Sequence, residues 1–136
     1  MNYILDTNII TAHMENNEKV RMKLGEIAFY EEEVFISAIR CYEIKRGLLV
    51  KNATRKLDIF EGFCREIRIL FLDNQEIFDK ASDIWADLEQ KGRHVNDADT
   101  LIAATALTQD LLVVSDDSDF LRIQDITVEN WLNLEP

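Results

Sequence analysis

The sequence predicts an α/β fold in which a mostly parallel central sheet lies between layers of helices. Short aliphatic runs bounded by polar residues alternate with longer segments whose apolar residues recur at spacings of three and four. Strands that alternate with helices of this length are joined by crossover connections, which make neighbouring strands parallel. The length of 136 residues fits one compact domain, 1–136, with no room for a second.

Each element is predicted from its local pattern. Brief β-branched or aliphatic runs predict strands, in chain order, at 3–5 (YIL), 34–36 (VFI), 68–72 (RILFL) and 111–114 (LLVV), and 126–131 is a candidate for a last strand. Apolar residues at helical spacing predict helices at 18–29, 38–50, 54–67, 75–90 and 98–108.

Composition excludes several classes of protein. An apolar fraction of 47% and a single proline argue against a disordered chain. No apolar run approaches the roughly 20 residues of a membrane span, and the N-terminus lacks the features of a signal peptide, so we expect a cytoplasmic protein. Cys41 and Cys64 have no metal-binding or redox spacing, and we interpret both as small buried thiols.

The charge is unevenly distributed along the chain. A net charge of −11 argues against a nucleic-acid partner, because such proteins usually neutralise phosphates with basic side chains. However, residues 37–70 contain eight basic and four acidic residues, a local charge of +4 that leaves −15 for the rest. This basic flank is either a track for phosphates or a set of solvated helix faces.

Two predicted strands deliver acids to the same edge of the sheet. In open parallel sheets, ligands bind beyond the carboxyl ends of the strands. Asp6 follows the first strand directly, although an Asp in this position is also a common helix cap. Asp116 and Asp117 follow the strand LLVV, and alternation along an extended chain points them to opposite sides. We favour Asp117 for the site, with Asp116 and Asp119 as solvated loop acids or caps.

Two further acids lie on predicted helices. Asp97 is a natural N-cap for the helix 98–108. Asp99 then lies in the first turn of that helix. It either belongs to the site at the strand edge or is present only because the helix dipole favours an acid there. Glu43 interrupts an inward-facing stripe formed by Ile39, Gly47 and Val50. A buried carboxylate needs a cation or hydrogen-bond donors. The alternative is an intrahelical pair of Glu43 with Arg46.

Four carboxylates at one edge would repel each other, and a divalent cation would remove that repulsion. Oxygen ligands without a cysteine cluster select Mg²⁺ or Mn²⁺, which supply the chemistry of phosphodiester hydrolysis. Asn8 and Ser115 are polar groups able to orient the acids. His13 and His94 form no convincing pair, and the chain has no Walker loop, GxGxxG motif or nucleophile elbow.

The motifs resemble a known family. The segments LDTN at the first strand, YEIKRG around Glu43, DADTLIAATAL around Asp99 and LLVVSDDSDF near the end resemble, in order and spacing, those of PIN-domain nucleases, and most closely the VapC-type toxins of bacterial toxin–antitoxin pairs. The resemblance implies a PIN-like three-layer sandwich whose acidic pocket binds Mg²⁺ or Mn²⁺ and cuts RNA. By that resemblance Asp6, Glu43, Asp99 and Asp117 are the catalytic, metal-binding acids, with Asn8 and Ser115 as polar helpers.

The resemblance also implies partners. We expect an RNA substrate, a VapB-like antitoxin that places a basic side chain in the acidic pocket, and a homodimer, with no membrane. Lys45 and Arg46 would guide the RNA backbone.

The alternatives are a noncatalytic PIN-like domain that binds RNA or a protein through the same pocket, and a receiver-like signalling domain with Asp73 as acceptor. A receiver-like domain needs a lysine after its late strand, and this chain has none after Val114. A haloacid dehalogenase-type phosphatase needs a second Asp where Asn8 lies.

Overall fold

A computed structural model describes residues 1–133 of the chain. The strands are β1 (Asn2–Leu5), β2 (Val34–Ser37), β3 (Arg68–Leu70), β4 (Leu111–Val114) and β5 (Val128–Glu129). The helices are α1 (Thr7–Met14), α2 (Glu18–Phe29), α3 (Ala38–Val50), α4 (Thr54–Glu66), α5 (Gln75–Gln90) and α6 (Asp97–Gln109). A 3₁₀ helix (Ser118–Arg122) lies between β4 and β5.

The five strands form one sheet in the order β3-β2-β1-β4-β5, and every neighbouring pair is parallel. The chain builds outward from β1 to β3 on one side, then crosses back to place β4 on the other side of β1. Strand order therefore reverses between β1 and β4, where an open parallel sheet leaves a crevice at the carboxyl ends of its strands.

Two hydrophobic clusters cover the two faces of this sheet. Ile4 and Val113 point to one face and pack against α5 and α6. The next residues, Leu5 and Val114, point to the other face and pack with residues of α1, α2 and α4. This alternation is the expected result of the two-residue period of a strand. The predicted α/β sandwich with a parallel central sheet is confirmed.

The largest omission of the sequence prediction is α1. This helix begins directly after β1 and has only eight residues, so it contains little of the repeated spacing that identifies longer helices. Its Ile9 and Ile10 are both buried. The strand predicted at 68–72 ends at Leu70, and the candidate strand 126–131 is reduced to the two residues of β5.

Tertiary packing also brings the two cysteines together. Cys41 on α3 and Cys64 on α4 are half-buried, and their side chains lie close enough to influence each other's pKa. The interpretation of both as small buried thiols is therefore only partly correct, because neither is fully enclosed. Burial raises the pKa of Cys41 to about 12, and burial also raises that of Cys64. Both thiols are therefore protonated at neutral pH and are weak nucleophiles.

No helix within residues 1–133 has both the length and the apolar character needed to cross a lipid bilayer.

Candidate active site

Asp6 lies at the centre of the carboxyl edge of the sheet. Its backbone N–H donates to the carbonyl oxygen of Val114 at 2.9 Å, which holds it between β1 and β4. Asp6 occupies the N-cap position of α1, but its side chain accepts no capping hydrogen bond. Instead, one carboxylate oxygen accepts from Ser115 Oγ at 2.6 Å and the other from Arg40 Nε at 2.7 Å. With 4% exposure, this carboxylate is directed into the site and does not cap the helix.

Glu43 reaches the same edge from α3. Ser37 ends β2 and caps α3 through a hydrogen bond from the Ile39 N–H to its Oγ, at 3.3 Å. Glu43 lies one turn and a half further on and accepts a hydrogen bond from Arg40 Nη1 at 2.7 Å. The alternative, an intrahelical pair of Glu43 with Arg46, is wrong: the ion-pair partner of Glu43 is Arg40, and the Arg46 guanidinium lies 4.8 Å from the Tyr42 ring centroid.

The inward-facing stripe predicted on α3 is also only partly correct. Val50, its last member, is 83% exposed, because α3 ends there and the chain turns towards α4. The buried residue on α3 is Arg40, and Ile44 and Leu48 are partly buried against the core.

Asp99 enters the site from the first turn of α6. Asn96, and not the predicted Asp97, is the N-cap: its Oδ1 accepts from the Asp99 N–H at 2.8 Å. The Asn96 amide also donates to the Asp99 carboxylate at 3.1 Å. Asp97 is exposed, while Asp99 is 2% exposed and accepts a hydrogen bond from Arg40 Nη2. Burial raises the pKa of Asp99, and the Asp6 and Asp117 carboxylates add to the rise, so that together they outweigh the lowering by Arg40.

The loop after β4 supplies the last acids. Asp117 lies near Asp99, and its N–H donates to Ser115 Oγ at 3.0 Å. Asp116 is exposed and instead accepts a hydrogen bond from the Asn130 amide at 2.6 Å. Asp119, interpreted from the sequence as a loop acid or cap, is also part of this group, because carboxylate oxygens of Asp99, Asp117 and Asp119 lie within 4.8 Å of one another.

Two polar residues connect these acids. Ser115 Oγ donates to Asp6, accepts from the Asp117 N–H, and lies 3.5 Å from the Asn8 amide nitrogen. The side-chain Oδ1 of Asn8 accepts from the Asp116 N–H at 3.1 Å, which fixes the start of the loop. The β4 loop is therefore tied to β1 and α1 by short polar contacts.

Arg40 is the site residue that sequence reasoning missed. Three of its nitrogens each donate to a different acid: Nε to Asp6, Nη1 to Glu43 and Nη2 to Asp99. The residue is 8% exposed. Burial lowers the pKa of Arg40, but the surrounding carboxylates outweigh this and raise it overall. The available signal was the i,i+3 spacing from Arg40 to Glu43, which places both side chains on one helix face.

The basic residues predicted to guide a substrate lie outside this acidic group. Lys45 is exposed and forms an ion pair with Glu61 at 3.4 Å. A groove of about 340 Å³ runs beside Glu43, with an apolar wall that includes Ile44 and Leu48 and with Lys51 and Lys56 along its lining. His13 lines a different groove that contains none of the four acids.

The oxygen-rich group fits a hard divalent cation, because carboxylate oxygens are the ligands that such ions select. Two halves can be distinguished. Asp99, Asp117 and Asp119 approach one another directly, whereas Asp6 and Glu43 are linked to Asp99 through the Arg40 guanidinium. The Arg40 guanidinium thus bridges Glu43 on α3, Asp6 after β1 and Asp99 on α6.

The chain is similar along almost its whole length to known proteins. A tRNA(fMet)-specific endonuclease VapC from Salmonella typhimurium is 30% identical over 134 residues, which cover 96% of this chain and 98% of the relative. Among solved structures, DNA-bound VapBC from the same organism superposes with a TM-score of 0.86 at 29% identity, over 96% of this chain and 98% of that one. VapBC2 from Rickettsia felis, bound to a DNA fragment from its promoter, has a TM-score of 0.84 at 26% identity, over 96% and 99%.

The model of the PIN domain family matches residues 3–126, which include every acid described above. The match agrees with the order of the sequence motifs and with the parallel sheet. It argues against the receiver-like and phosphatase alternatives. The chain belongs to the PIN domain family.

Proposed function

We propose that this protein is a metal-dependent endoribonuclease and the toxin of a VapBC-type toxin–antitoxin pair. The observation that carries the proposal is the convergence of Asp6, Glu43, Asp99 and Asp117 at the carboxyl edge of the parallel sheet. Relatives that span almost the whole chain are named ribonuclease or endonuclease, which supports the same activity.

In this proposal the four acids hold Mg²⁺ or Mn²⁺. When bound, such an ion lowers the pKa of water, contacts a phosphate oxygen and neutralises charge on the leaving group, which is the chemistry of phosphodiester hydrolysis. The donor set supports a hard cation because it contains carboxylates and no thiolate or imidazole.

The neighbouring residues orient the acids. Ser115 holds Asp6 through a 2.6 Å hydrogen bond, and Asn96 holds Asp99 through its amide and its capping bond. A carboxylate whose one oxygen is fixed by such a partner keeps its other oxygen directed at one position. Attack by water on phosphorus, rather than by the RNA 2′-hydroxyl, would leave a 5′-phosphate and a 3′-hydroxyl.

The proposed partners follow from the family resemblance. Similar proteins have been solved as VapBC complexes bound to DNA, so we propose a VapB-like antitoxin as the partner of this chain. We also propose a homodimer, to be measured by sedimentation of the purified chain alone. A short reading frame for a DNA-binding protein next to this gene would support the pairing.

The activity is tested by Asp99→Asn, which keeps the size of the side chain and removes its charge. We expect cleavage of RNA in Mg²⁺ or Mn²⁺ to fall by at least about 100-fold, since loss of even an outer partner of a metal ligand costs 10–100-fold. The matched control is Asp97→Asn, on the same helix turn but exposed, which should cleave normally.

Unchanged cleavage by a folded Asp99→Asn variant would refute the site. Products that end in a 2′,3′-cyclic phosphate would refute attack by water and leave the location of the site intact.

A further inference from the structure

We infer that Arg40 is an internal cation that holds the metal-free site together and that must move its guanidinium away before Asp6, Glu43 and Asp99 can share a divalent ion. The inference rests on the proposed function, because it concerns metal binding at the same acids. It predicts that this chain binds a divalent ion more weakly than the same acids would without Arg40.

The first argument is geometric. Arg40 donates to one oxygen of each acid, at 2.7 Å to Asp6 and 2.7 Å to Glu43, with a third bond to Asp99. The other oxygens of the two most buried acids are already engaged, that of Asp6 by Ser115 and that of Asp99 by Asn96. The oxygens that face the space between the acids are therefore the ones that Arg40 uses. A bound Mg²⁺ needs such oxygens at about 2.0–2.1 Å, so the ion and the guanidinium compete for them.

The second argument is electrostatic. Asp6 and Asp99 are almost fully buried, and carboxylates placed this close repel each other and destabilise the fold. Arg40 offsets this repulsion in the absence of metal. Arginine cannot lose its proton in a protein, so it makes way for a dication only by moving.

The third argument is that the arginine is able to move. Among the described residues, its side-chain hydrogen bonds all go to the three acids. A long arginine side chain can also carry its charged end towards water while its stem stays packed. The groove lined by Glu43, one of its partners, is also lined by Thr7, Thr11 and Glu15. A space with polar residues therefore lies beside the Glu43 end of the arginine contacts.

A different arrangement would leave Arg40 in place. Asp99, Asp117 and Asp119 approach one another without a bridging arginine, and an ion held there alone would not need the oxygens of Asp6 and Glu43. In that case Arg40 would be a permanent ion-pair partner, and its removal would not strengthen metal binding. The two arrangements can be separated by measuring metal affinity.

The experiment titrates Mn²⁺ into the wild-type chain and into Arg40→Gln by calorimetry, without RNA. We expect Arg40→Gln to bind Mn²⁺ about tenfold or more tightly, a difference that calorimetry resolves easily. In EDTA the variant should melt below wild type, and saturating Mn²⁺ should raise its melting temperature more than that of wild type. The matched control is Arg55→Gln, which removes the same charge from an exposed position on α4 and should leave the affinity within about twofold of wild type.

Arg40→Lys keeps the charge but cannot bridge three carboxylates, and should bind Mn²⁺ with intermediate affinity. This second variant keeps the test decisive if Arg40→Gln does not fold. Equal affinity of the Arg40 variants and wild type, or a gain no larger than that of Arg55→Gln, would overturn the inference. If RNA cleavage persisted alongside that result, the ribonuclease proposal would stand. If none of the proteins bound Mn²⁺, the inference and the proposed metal dependence would both be wrong.

Discussion

Asp6 has the sequence position of a helix cap, but in the folded chain its side chain serves the acidic site. Its position after an apolar strand is that of a helix cap, and it does precede α1. Yet its carboxylate binds Ser115 and Arg40, which come from residues far away in the chain. A buried carboxylate must find such partners, because the cost of leaving it unpaired far exceeds the gain from capping a helix.

Arg40 changes what a partner protein would meet in the pocket. The family resemblance implies that an antitoxin places a basic side chain among the acids. Here three of the acids already bind an arginine of the same chain. Asp119, on the loop after β4, is also paired, with Arg122 at 3.4 Å. Among the site acids of the described residues, Asp117 is the one left for a cation from outside.

His13 carries a prediction about pH. It is half-buried, with its ring 5.0 Å from that of Phe63, and burial lowers its pKa below 6.5 although Glu66 opposes this. The folded state therefore disfavours the charged imidazole. This contribution to stability is present above pH 6.5 and is lost as the pH falls through the lowered value.

We expect His13→Gln to lose less stability than wild type between pH 7 and pH 5, measured by urea unfolding at each pH. The control is His94→Gln, an exposed histidine, which should follow the wild-type curve. Parallel curves for wild type and His13→Gln would contradict the prediction.

At the level of elements, three helices begin directly at the carboxyl edge of the sheet or beside it. Asp6 precedes α1, Ser37 caps α3, and Asn96 caps α6. Each start places a site acid at the N-cap or within the first two turns of its helix, so the boundaries of the helices determine the geometry of the site. The donor groups at a helix start also favour negative charge there.

The cap of α6 carries a prediction about stability. Asn96→Ala removes both the capping bond to the Asp99 N–H and the amide bond to the Asp99 carboxylate. We expect a loss of about 0.5–2 kcal/mol in the free energy of unfolding, the usual cost of deleting a cap. Asp97→Ala, at the position that the sequence suggested as the cap, should cost much less. Chemical denaturation of the two variants compares them directly, and equal losses would show that Asn96 does not cap α6.

At the level of the whole molecule, charge is segregated. The segment 37–70 has a charge of +4 on a chain whose total is −11. It comprises α3 and α4, so basic residues lie on the same helix as Glu43. This arrangement supports the proposal that RNA crosses α3, where Lys45 and Arg46 are exposed.

Neutralising both residues tests this path. We expect the double variant Lys45→Gln, Arg46→Gln to bind RNA more weakly and to reduce the slope of log K against log salt by about 1.4, since each phosphate contact contributes about 0.7 for a single strand. Lys19→Gln with Arg21→Gln, an equal charge change on α2, should leave the slope unchanged. Equal slopes for all three proteins, measured with a noncleaving Asp99→Asn background, would place the RNA elsewhere.

The sequence by itself determined the sheet and most helices, because strand and helix periods are local. The bounds of α2, α3 and α5 agree with prediction to the residue. It also indicated that acids after β1 and β4 share an edge, since parallel strands all end on one side. The short helix α1 was not predicted, because its eight residues contain too few repeats of the helical period.

Only the tertiary structure decided which groups meet at that edge. Asp119 joins Asp99 and Asp117 because the 3₁₀ helix turns the chain back after β4. Arg40 meets acids that lie 34 and 59 residues away, and no local pattern records such a contact. Periodicity shows which side of a helix faces inward, whereas the partner of a buried charge depends on which elements pack against that side.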